Sequence, residues 1–504
     1  MSSLSKFINH NVLLRYGLLN TTFAINILPL VTQHLNVYIS STNELQLLFN
    51  VARRGITSTL LTVARLHCKP IQYQSVTVDF SVDPKDAPEI VAHPLNIRTL
   101  KLTKTQQPYL DMLLSASCDS LVELVESSTL ANQRLPCDLP NLQTLNLKNQ
   151  PPPAIAILLH SSPMLLTTIR VLDISFFHGD DLVVNLLTNK FLQLQSLSAS
   201  VAFGAIVDYI VAHNTLEHLR YSGLPSTIPT NEFERLMRLD RSRMKSLHTY
   251  LPTAATITFT PTLLAQLELV RFLNAPKPMF DAMVSSSVAF TRIRTISLNF
   301  IAADELTSVA KFLKLCPNIH KLSLFTNSSL ADLGQVARAL TPHHTLEHLE
   351  INDFVEQEAL LDDIVLMARA CPRLTYLGCG IELHRNTMDS LIEAIIQHPN
   401  TINGMVLSRA SPSNLLRIIN HPNINIINVR MTDDIDENEF KLVLDALSIT
   451  ESNTMYISKL WLMFKIDSDA MLEYLIDKFS NRSMTRVHQM DLNIDIGINI
   501  EFTK

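Results

Sequence analysis

Glycine is scarce in this chain, with only ten residues in 504. Phosphate-binding loops need glycines at fixed spacing, because glycine lets the backbone approach a phosphate closely. Neither G-x-G-x-x-G nor G-x-x-x-x-G-K occurs in the sequence. The sequence therefore predicts no nucleotide-binding loop and no cofactor.

Cysteine is also sparse, and its six residues never form a C-x-x-C pair. We expect neither a structural zinc site nor a disulfide framework in a chain of this length. The acidic run 433–439 begins like a calcium-binding loop, but Glu439 stands where the sharp turn needs glycine. The sequence therefore predicts no metal site and a reducing compartment, with a cytoplasmic or nuclear location.

Several function classes lack their signals as well. No run of 18 apolar residues exists, so we expect no membrane span. The net charge of −6 argues against a nucleic-acid binder, which normally carries a basic stripe. Neither G-x-S-x-G nor H-E-x-x-H occurs, and no other catalytic constellation is found. We therefore expect no enzyme activity and no catalytic residues.

What the sequence does contain is a repeated apolar phrase, hydrophobic-x-x-hydrophobic-x-hydrophobic, whose three apolar residues we call anchors. About sixteen copies lie between Ile97 and Val487, with a mean period of about 26 residues. Clear copies begin at Ile97, Leu142, Ile169, Leu216, Leu264, Ile293, Ile319, Leu346, Leu374, Ile424, Ile457 and Val487, and weaker ones at Leu121, Leu194, Met244 and Ile402. A period of this length indicates an array of repeats, which usually presents a binding surface.

Each repeat reads as a strand, a turn and a helix. After the turn at Cys316, residues 319–324 alternate like a strand and residues 331–340 have helical spacing. Further helices are predicted over residues 358–372, 388–399, 413–422, 439–450 and 469–480. Stacked repeats of this kind predict an α/β solenoid over residues 91–504, with parallel strands on a concave face and helices on a convex face.

Two turns carry a more specific pattern. Cys316-Pro317-Asn318-Ile319 and Cys371-Pro372-Arg373-Leu374 look like the C-P-x-L motif of leucine-rich-repeat proteins. The asparagine that many such repeats place after the last anchor is present only at Asn327. The chain thus resembles the ribonuclease-inhibitor-like class, especially its cysteine-containing branch, and the resemblance implies a horseshoe of about sixteen irregular repeats.

Residues 1–90 contain no clear repeat and read as a helical cap followed by a strand at Gln74–Phe80. Within this segment, Leu28-Pro29 and Val51-Ala52-Arg53-Arg54 resemble the two ends of an F-box. The resemblance implies a degenerate F-box at 28–54 that binds a Skp-like adaptor; a plain cap for the first repeat is the other interpretation. The adaptor contacts would be Leu28, Pro29, Leu45, Leu48, Val51, Arg53 and Arg54.

The residues between anchors point away from the core, because side chains alternate along a strand. Aromatic and basic residues at such positions are typical of protein interfaces. The candidates for partner binding are Arg220, Tyr250, Phe325, Tyr376, Arg430, Lys459, Trp461 and Met463, with His218, His248 and Lys321 at equivalent positions.

The sequence therefore predicts a monomeric, non-enzymatic scaffold that binds other proteins and neither nucleic acid nor membrane. By resemblance it would be an F-box/leucine-rich-repeat-like substrate receptor of a Skp–cullin–F-box ubiquitin ligase, binding an adaptor and a substrate. Two alternatives stay open: a leucine-rich-repeat GTPase-activating regulator, and an orphan repeat protein with no ubiquitin-ligase role.

Overall fold

The structure is a computed structural model. It describes residues 36–50, 72–79, 94–103, 107–126, 135, 137–147, 163–175, 191–200, 202–240, 242–252, 261–274, 276–326, 333–340, 345–353, 360–379, 391–393, 396, 402–410, 412–419, 421, 424, 426–431, 438, 441–442, 459–464, 485–492 and 496–502. The chain divides into two compact units: unit 1 is Met1–Arg235 with Arg241–Met244, and unit 2 is Leu236–Asp240 with Lys245–Lys504.

Unit 1 contains a parallel sheet whose strands pair in chain order. The strands are β1 Asn36–Ile39, β2 Gln72–Val78, β3 Asn96–Leu102, β4 Glu123–Glu126, β5 Thr144–Asn146, β6 Val171–Ile174, β7 Ser196–Ala199 and β8 His218–Tyr221. In chain order, helix α1 Gln107–Ser117 follows β3, α2 Pro163–Thr168 follows β5 and α3 Phe203–His213 follows β7. Residues 42–50 are also helical.

Among the described residues of unit 2, nine strands pair in parallel and in chain order. They are β9 Ser246–Thr249, β10 Leu269–Phe272, β11 Thr295–Ile301, β12 Lys321–Thr326, β13 His348–Asp353, β14 Tyr376–Cys379, β15 Gly404–Ala410, β16 Ile426–Met431 and β17 Lys459–Phe464. Helix α4 Thr230–Met237 lies where the two units divide, and unit 2 contains α5 Lys277–Ser285, α6 Leu306–Lys314, α7 Leu333–Leu340, α8 Leu360–Ala370 and α9 Pro412–Ile419. The predicted α/β architecture of parallel strands alternating with helices is confirmed in both units.

The anchors form the core of each unit because burying their apolar side chains stabilises the stack by about 25 cal/mol per Å² removed from water. In unit 2, the third anchors Leu298, Leu324, Ile351 and Cys379 are fully buried and in register across four strands. The weaker copies that begin at Leu121, Leu194, Met244 and Ile402 are genuine repeats, since each supplies a buried anchor just before a strand.

One predicted register is wrong. We expected the anchors Leu264, Leu267 and Leu269, but β10 begins at Leu269, which is 38% exposed. The buried anchors are Leu267, Val270 and Phe272, three residues further along. Both triplets fit the apolar phrase, and the choice is made by pairing, which sets Val270 beside Leu247 and Ile296.

The last predicted repeat is also different. The phrase at Val487 lies in β18 Thr485–Leu492, which pairs antiparallel with β19 Ile496–Phe502. Strand β19 in turn pairs antiparallel with β17, so β18 does not continue the parallel ladder. A strand that follows only three residues after its neighbour can pair with it as an antiparallel hairpin, whereas parallel pairing needs a longer crossover.

The first two strands fall within residues 1–90. The predicted strand at Gln74–Phe80 is observed as β2 Gln72–Val78, whereas Asn36–Ile39 was not predicted as a strand. Strand β1 pairs with β2, and β2 pairs with β3, all in parallel. The parallel ladder of unit 1 therefore includes strands that precede the first apolar phrase.

The helices of unit 2 bury one face each. In α6, the buried residues Leu306, Val309, Phe312 and Leu313 recur at helical spacing, while Lys311 and Lys314 are exposed. Over the part of the chain that the structure describes, no helix is both long and apolar enough to cross a membrane.

Asparagine takes over turn roles that glycine often fills. Asn214 ends α3 in the left-handed region at a φ of 46°, and its N–H donates to the carbonyl oxygen of Ile210. Asn274, after β10, accepts a hydrogen bond from the N–H of Leu251 and donates to the carbonyl oxygen of Leu251 at 2.8 Å. This side chain joins two neighbouring turns of unit 2, much as a ladder asparagine would.

We expect the substitution Asn274→Ala to lower the free energy of unfolding by about 1 to 3 kcal/mol, because both backbone groups of the buried Leu251 lose their partner. Urea denaturation followed by circular dichroism measures the change. The control is Asn231→Ala at an exposed position of α4, which should stay close to the wild type. Equal stability of the two variants would show that the Asn274 bonds contribute nothing.

Candidate interaction site on the inter-anchor face

The residues between anchors in β9 to β14 form two aligned rows that we call the inter-anchor face of unit 2. Parallel pairing in register places equivalent residues of neighbouring strands about 4.8 Å apart. The first row is Ser246, Leu269, Thr295, Lys321, His348 and Tyr376. The second row is His248, Arg271, Ser297, Ser323, Glu350 and Gly378.

Five of these residues make a compact group, the Glu350 cluster: Lys321, Ser323, His348, Glu350 and Tyr376. The Ser323 hydroxyl donates to Oε2 of Glu350 at 2.6 Å. The Nζ of Lys321 lies 3.7 Å from the same oxygen, and Nε2 of His348 lies 3.3 Å from Oε1. The His348 contact is close but poorly aligned, since this buried Nε2 forms no hydrogen bond of good geometry.

These neighbours keep Glu350 ionised. The adjacent His348 lowers the pKa of the carboxyl most; burial opposes this, and Ser323 and Lys321 lower it further, to about 2. Burial together with the Glu350 charge raises the pKa of Tyr376 to about 12, so its hydroxyl stays neutral at physiological pH. The cluster thus presents a fixed carboxylate beside a cation and a neutral phenol.

An aromatic stack extends the cluster to the next strand. The rings of His348 and Tyr376 are parallel within 5°, with centroids 4.0 Å apart. Gly378 leaves space for the carboxylate chain, since a Cβ there would lie 2.9 Å from Cγ of Glu350. The stack and the carboxylate are therefore held in one arrangement by packing across β13 and β14.

Arg271 lies on the second row, between the buried anchors Val270 and Phe272. Its Nε atom is buried and makes no hydrogen bond to any residue that the structure describes. A buried guanidinium nitrogen without a partner is costly, because it has lost water and gained nothing in return. The side chain as a whole is only half-buried, so Arg271 is partly open to a partner at this face.

The predicted partner-binding residues fall into three groups. Phe325 and Tyr376 are half-buried on β12 and β14, and Tyr250 is half-buried directly after β9. Arg220 is exposed on β8, in unit 1. For the remaining candidates the structure gives backbone register only: Trp461 pairs with Asn428 and Met463 with Arg430, while Lys459 pairs with Ile426.

The predicted adaptor contacts are described at two positions. Leu45 and Leu48 lie in the helical segment 42–50 and are fully buried, so both side chains pack inside unit 1. Leu28, Pro29, Val51, Arg53 and Arg54 lie outside the described residues. The two described leucines are therefore not available to an adaptor in this arrangement.

Among the charged and hydrogen-bonding residues that define this site, sequence reasoning missed Arg271, Ser323, His348 and Glu350. Arg271 was hidden by the register error at Leu264. Glu350 had a usable signal, since a carboxylate stands directly between the buried anchors Leu349 and Ile351.

The described residues hold no group of three or more His, Cys, Asp or Glu side chains placed to bind a metal ion. The thiols of the two Cys-Pro turns, at Cys316 and Cys371, are buried, and burial raises the pKa of Cys371 to about 12. Such thiols are protonated at physiological pH and serve packing rather than reactivity. The inter-anchor face therefore offers charge and aromatic surface for binding.

Comparisons with known proteins assign no family. Neither the models of known protein families nor the curated proteins include a match to this sequence.

Proposed function

We propose that this chain is a non-enzymatic scaffold that binds another protein through the inter-anchor face of unit 2. The observation that carries the proposal is the Glu350 cluster, where a half-buried tyrosine stacks on a histidine beside an ordered ion pair. Aromatic and charged residues fixed in this way are typical of the centres of protein interfaces. Their order before binding lowers the entropic cost of forming a complex.

The finer form of the proposal rests on the sequence. A leucine-rich-repeat horseshoe of the ribonuclease-inhibitor-like class would place this face on its concave side. With residues 28–54 as a degenerate F-box within the N-terminal cap of residues 1–90, the chain would be a substrate receptor of a Skp–cullin–F-box ubiquitin ligase, in the cytoplasm or nucleus. Since Leu45 and Leu48 are buried, an adaptor would have to bind through the other predicted contacts, such as Arg53 and Arg54.

Affinity capture followed by mass spectrometry tests both levels. We expect the full chain to capture a partner protein that is lost when Tyr376 and Trp461 are replaced by alanine, since the variant removes the Tyr376 ring from the face and a second aromatic residue on β17, at the register position of the second row. Lys314→Ala, on the exposed side of α6, should leave the capture intact. If the wild type, the double variant and Lys314→Ala all capture the same proteins, binding through this face is refuted.

Deleting residues 28–54 tests the ubiquitin-ligase form separately. Recovery of a Skp-like adaptor that disappears with this deletion supports an F-box role. Capture of the Tyr376-dependent partner without any adaptor would instead leave a plain scaffold and exclude the substrate-receptor form.

A further inference from the structure

We propose that the inter-anchor face of unit 2 binds an extended acidic segment of its partner protein, with Arg271 and Lys321 as the cations that recognise it. This inference rests on the proposed function and adds the chemistry of the partner. It is carried by the charges of the face, by the partly exposed side chains of Arg271 and Lys321, and by the spacing of these two cations.

The two rows of the face carry one more positive than negative charge, although the chain as a whole is acidic. The whole sequence has a net charge of −6, yet the two rows of β9 to β14 contain two fixed cations, Arg271 and Lys321, and a single carboxylate, Glu350. That carboxylate already interacts with Ser323, Lys321 and His348. A partner therefore meets a surface whose unsatisfied charge is positive, and charge complementarity selects acidic groups.

Both cations retain donors for a partner. The side chain of Arg271 is half-buried, so its exposed part is open to a carboxylate, while its buried Nε has no hydrogen bond within the described part of the chain. The Nζ of Lys321 is 3.7 Å from Glu350, beyond hydrogen-bond distance, and its side chain is 42% exposed. Glu350 thus holds the ammonium in place without occupying its donors.

The spacing favours carboxylates distributed along a peptide over one compact anion. Arg271 and Lys321 lie on β10 and β12, two strands and one row apart, which corresponds to about 12 Å between their backbones. A single phosphate cannot bridge that distance, whereas a peptide in the extended polyproline II conformation rises about 9 Å in three residues, and the flexible side chains of both cations cover the remainder. Polyproline II has three residues per turn, so acidic residues at every third position lie on one side of the segment and place one carboxylate near each cation.

The stack of His348 and Tyr376 continues the path. These residues follow Lys321 along the first row, on β13 and β14, and their rings form a flat surface of parallel planes. Apolar and amide groups of the same peptide can pack on such rings. The face would then bind acidic side chains of the partner over β10 to β12 and an apolar group of the partner over β13 and β14.

A labelled peptide of about twelve residues, with Glu at every third position and Ser elsewhere, is the probe for the full chain. Fluorescence anisotropy compares it with the same peptide carrying Gln in place of Glu. We expect the Glu peptide to bind more tightly, and to weaken when NaCl rises from about 0.05 M to about 0.5 M, which shortens the Debye length to about a third. This comparison uses the wild-type protein and needs no variant to fold.

Variants then locate the site. Arg271→Gln and Lys321→Gln are each expected to weaken the Glu peptide about two- to fivefold, and together about tenfold, with no effect on the Gln peptide. Lys321→Arg should bind within about twofold of the wild type. Lys314→Gln makes the same change of net charge on α6 and should leave the affinity unchanged.

Equal binding of the Glu and Gln peptides, or wild-type affinity in the double variant, would overturn the inference. So would a single-stranded oligonucleotide of similar length that binds more tightly than the Glu peptide and is lost in the double variant. If peptide binding ignores both cations while a captured protein still depends on Tyr376, the acidic segment is refuted and the scaffold stands. If the charges govern peptide binding but no captured protein depends on Tyr376, the scaffold proposal fails instead.

Discussion

Phe312→Ala is expected to lower the free energy of unfolding of unit 2 by about 3 to 5 kcal/mol, the range found for removal of a buried phenylalanine ring. The Phe312 side chain is fully buried on α6 and is the middle one of three neighbouring aromatic rings. Its centroid is 5.2 Å from that of Phe280, at an angle of 79°, and 5.7 Å from that of Phe290. Removing it leaves a cavity between neighbouring repeats.

The cavity should destabilise the neighbouring repeats as well as α6, because each repeat is stabilised mainly by its neighbours. Phe280 lies on α5 and Phe290 follows that helix, so both lose an edge-to-face or tilted partner. Urea denaturation followed by far-ultraviolet circular dichroism measures the loss, and Lys314→Ala on the same helix is the control. A loss below about 1 kcal/mol would show that the surrounding rings refill the space.

The repeat architecture was predictable because its signal is redundant. An apolar phrase that returns many times survives an error in any one copy, and buried strands with β-branched or leucine anchors leave few alternatives. Helix positions were close as well: residues 331–340 and 358–372 were predicted, and Leu333–Leu340 and Leu360–Ala370 are observed. Local periodicity is sufficient for such elements, since each buries one face on its neighbours.

The details that failed depend on pairing between distant segments. At Leu264 two overlapping triplets satisfied the same phrase, and only the neighbours β9 and β11 select the second. At Val487 the local pattern is identical to that of a parallel repeat, but β19 supplies an antiparallel partner. A periodicity argument contains no information on which strand lies alongside, so neither outcome followed from the phrase itself.

The candidate site was predictable only in outline. The alternation of side chains along a strand predicted that Lys321 and Tyr376 lie on the inter-anchor face. In the structure His348 lies between them: it follows Lys321 by 27 residues in the chain and pairs with both residues across the sheet. The importance of Glu350 depends on Ser323 from one strand and His348 from its own. Such a cluster can be recognised only when the pairing register of the strands is known.

Glu350→Gln is expected to remove a pH-dependent part of the stability, worth about 1 to 3 kcal/mol at pH 7 for a carboxyl whose pKa falls from an ordinary value near 4.5 to about 2. We favour the lower half of this range, since the His348 contact is poorly aligned and the Glu350 side chain is 27% exposed. Glutamine keeps the shape and still accepts the bond from Ser323, so the change isolates the charge.

The pH dependence of this stability contribution follows from the lowered pKa of Glu350. A carboxyl whose pKa is lower in the folded state stabilises the fold fully above its unfolded pKa, and this contribution is lost as the pH falls from about 5 towards 2. The wild type should therefore be more stable than Glu350→Gln at pH 7, and the difference should shrink steadily in urea titrations between about pH 5 and pH 3. Glu347→Gln changes an exposed carboxylate three residues earlier and serves as the control, with no such convergence. A stability difference that stays constant over this range would mean that Glu350 contributes through packing, and that the ion pairs with Lys321 and His348 do not stabilise the face.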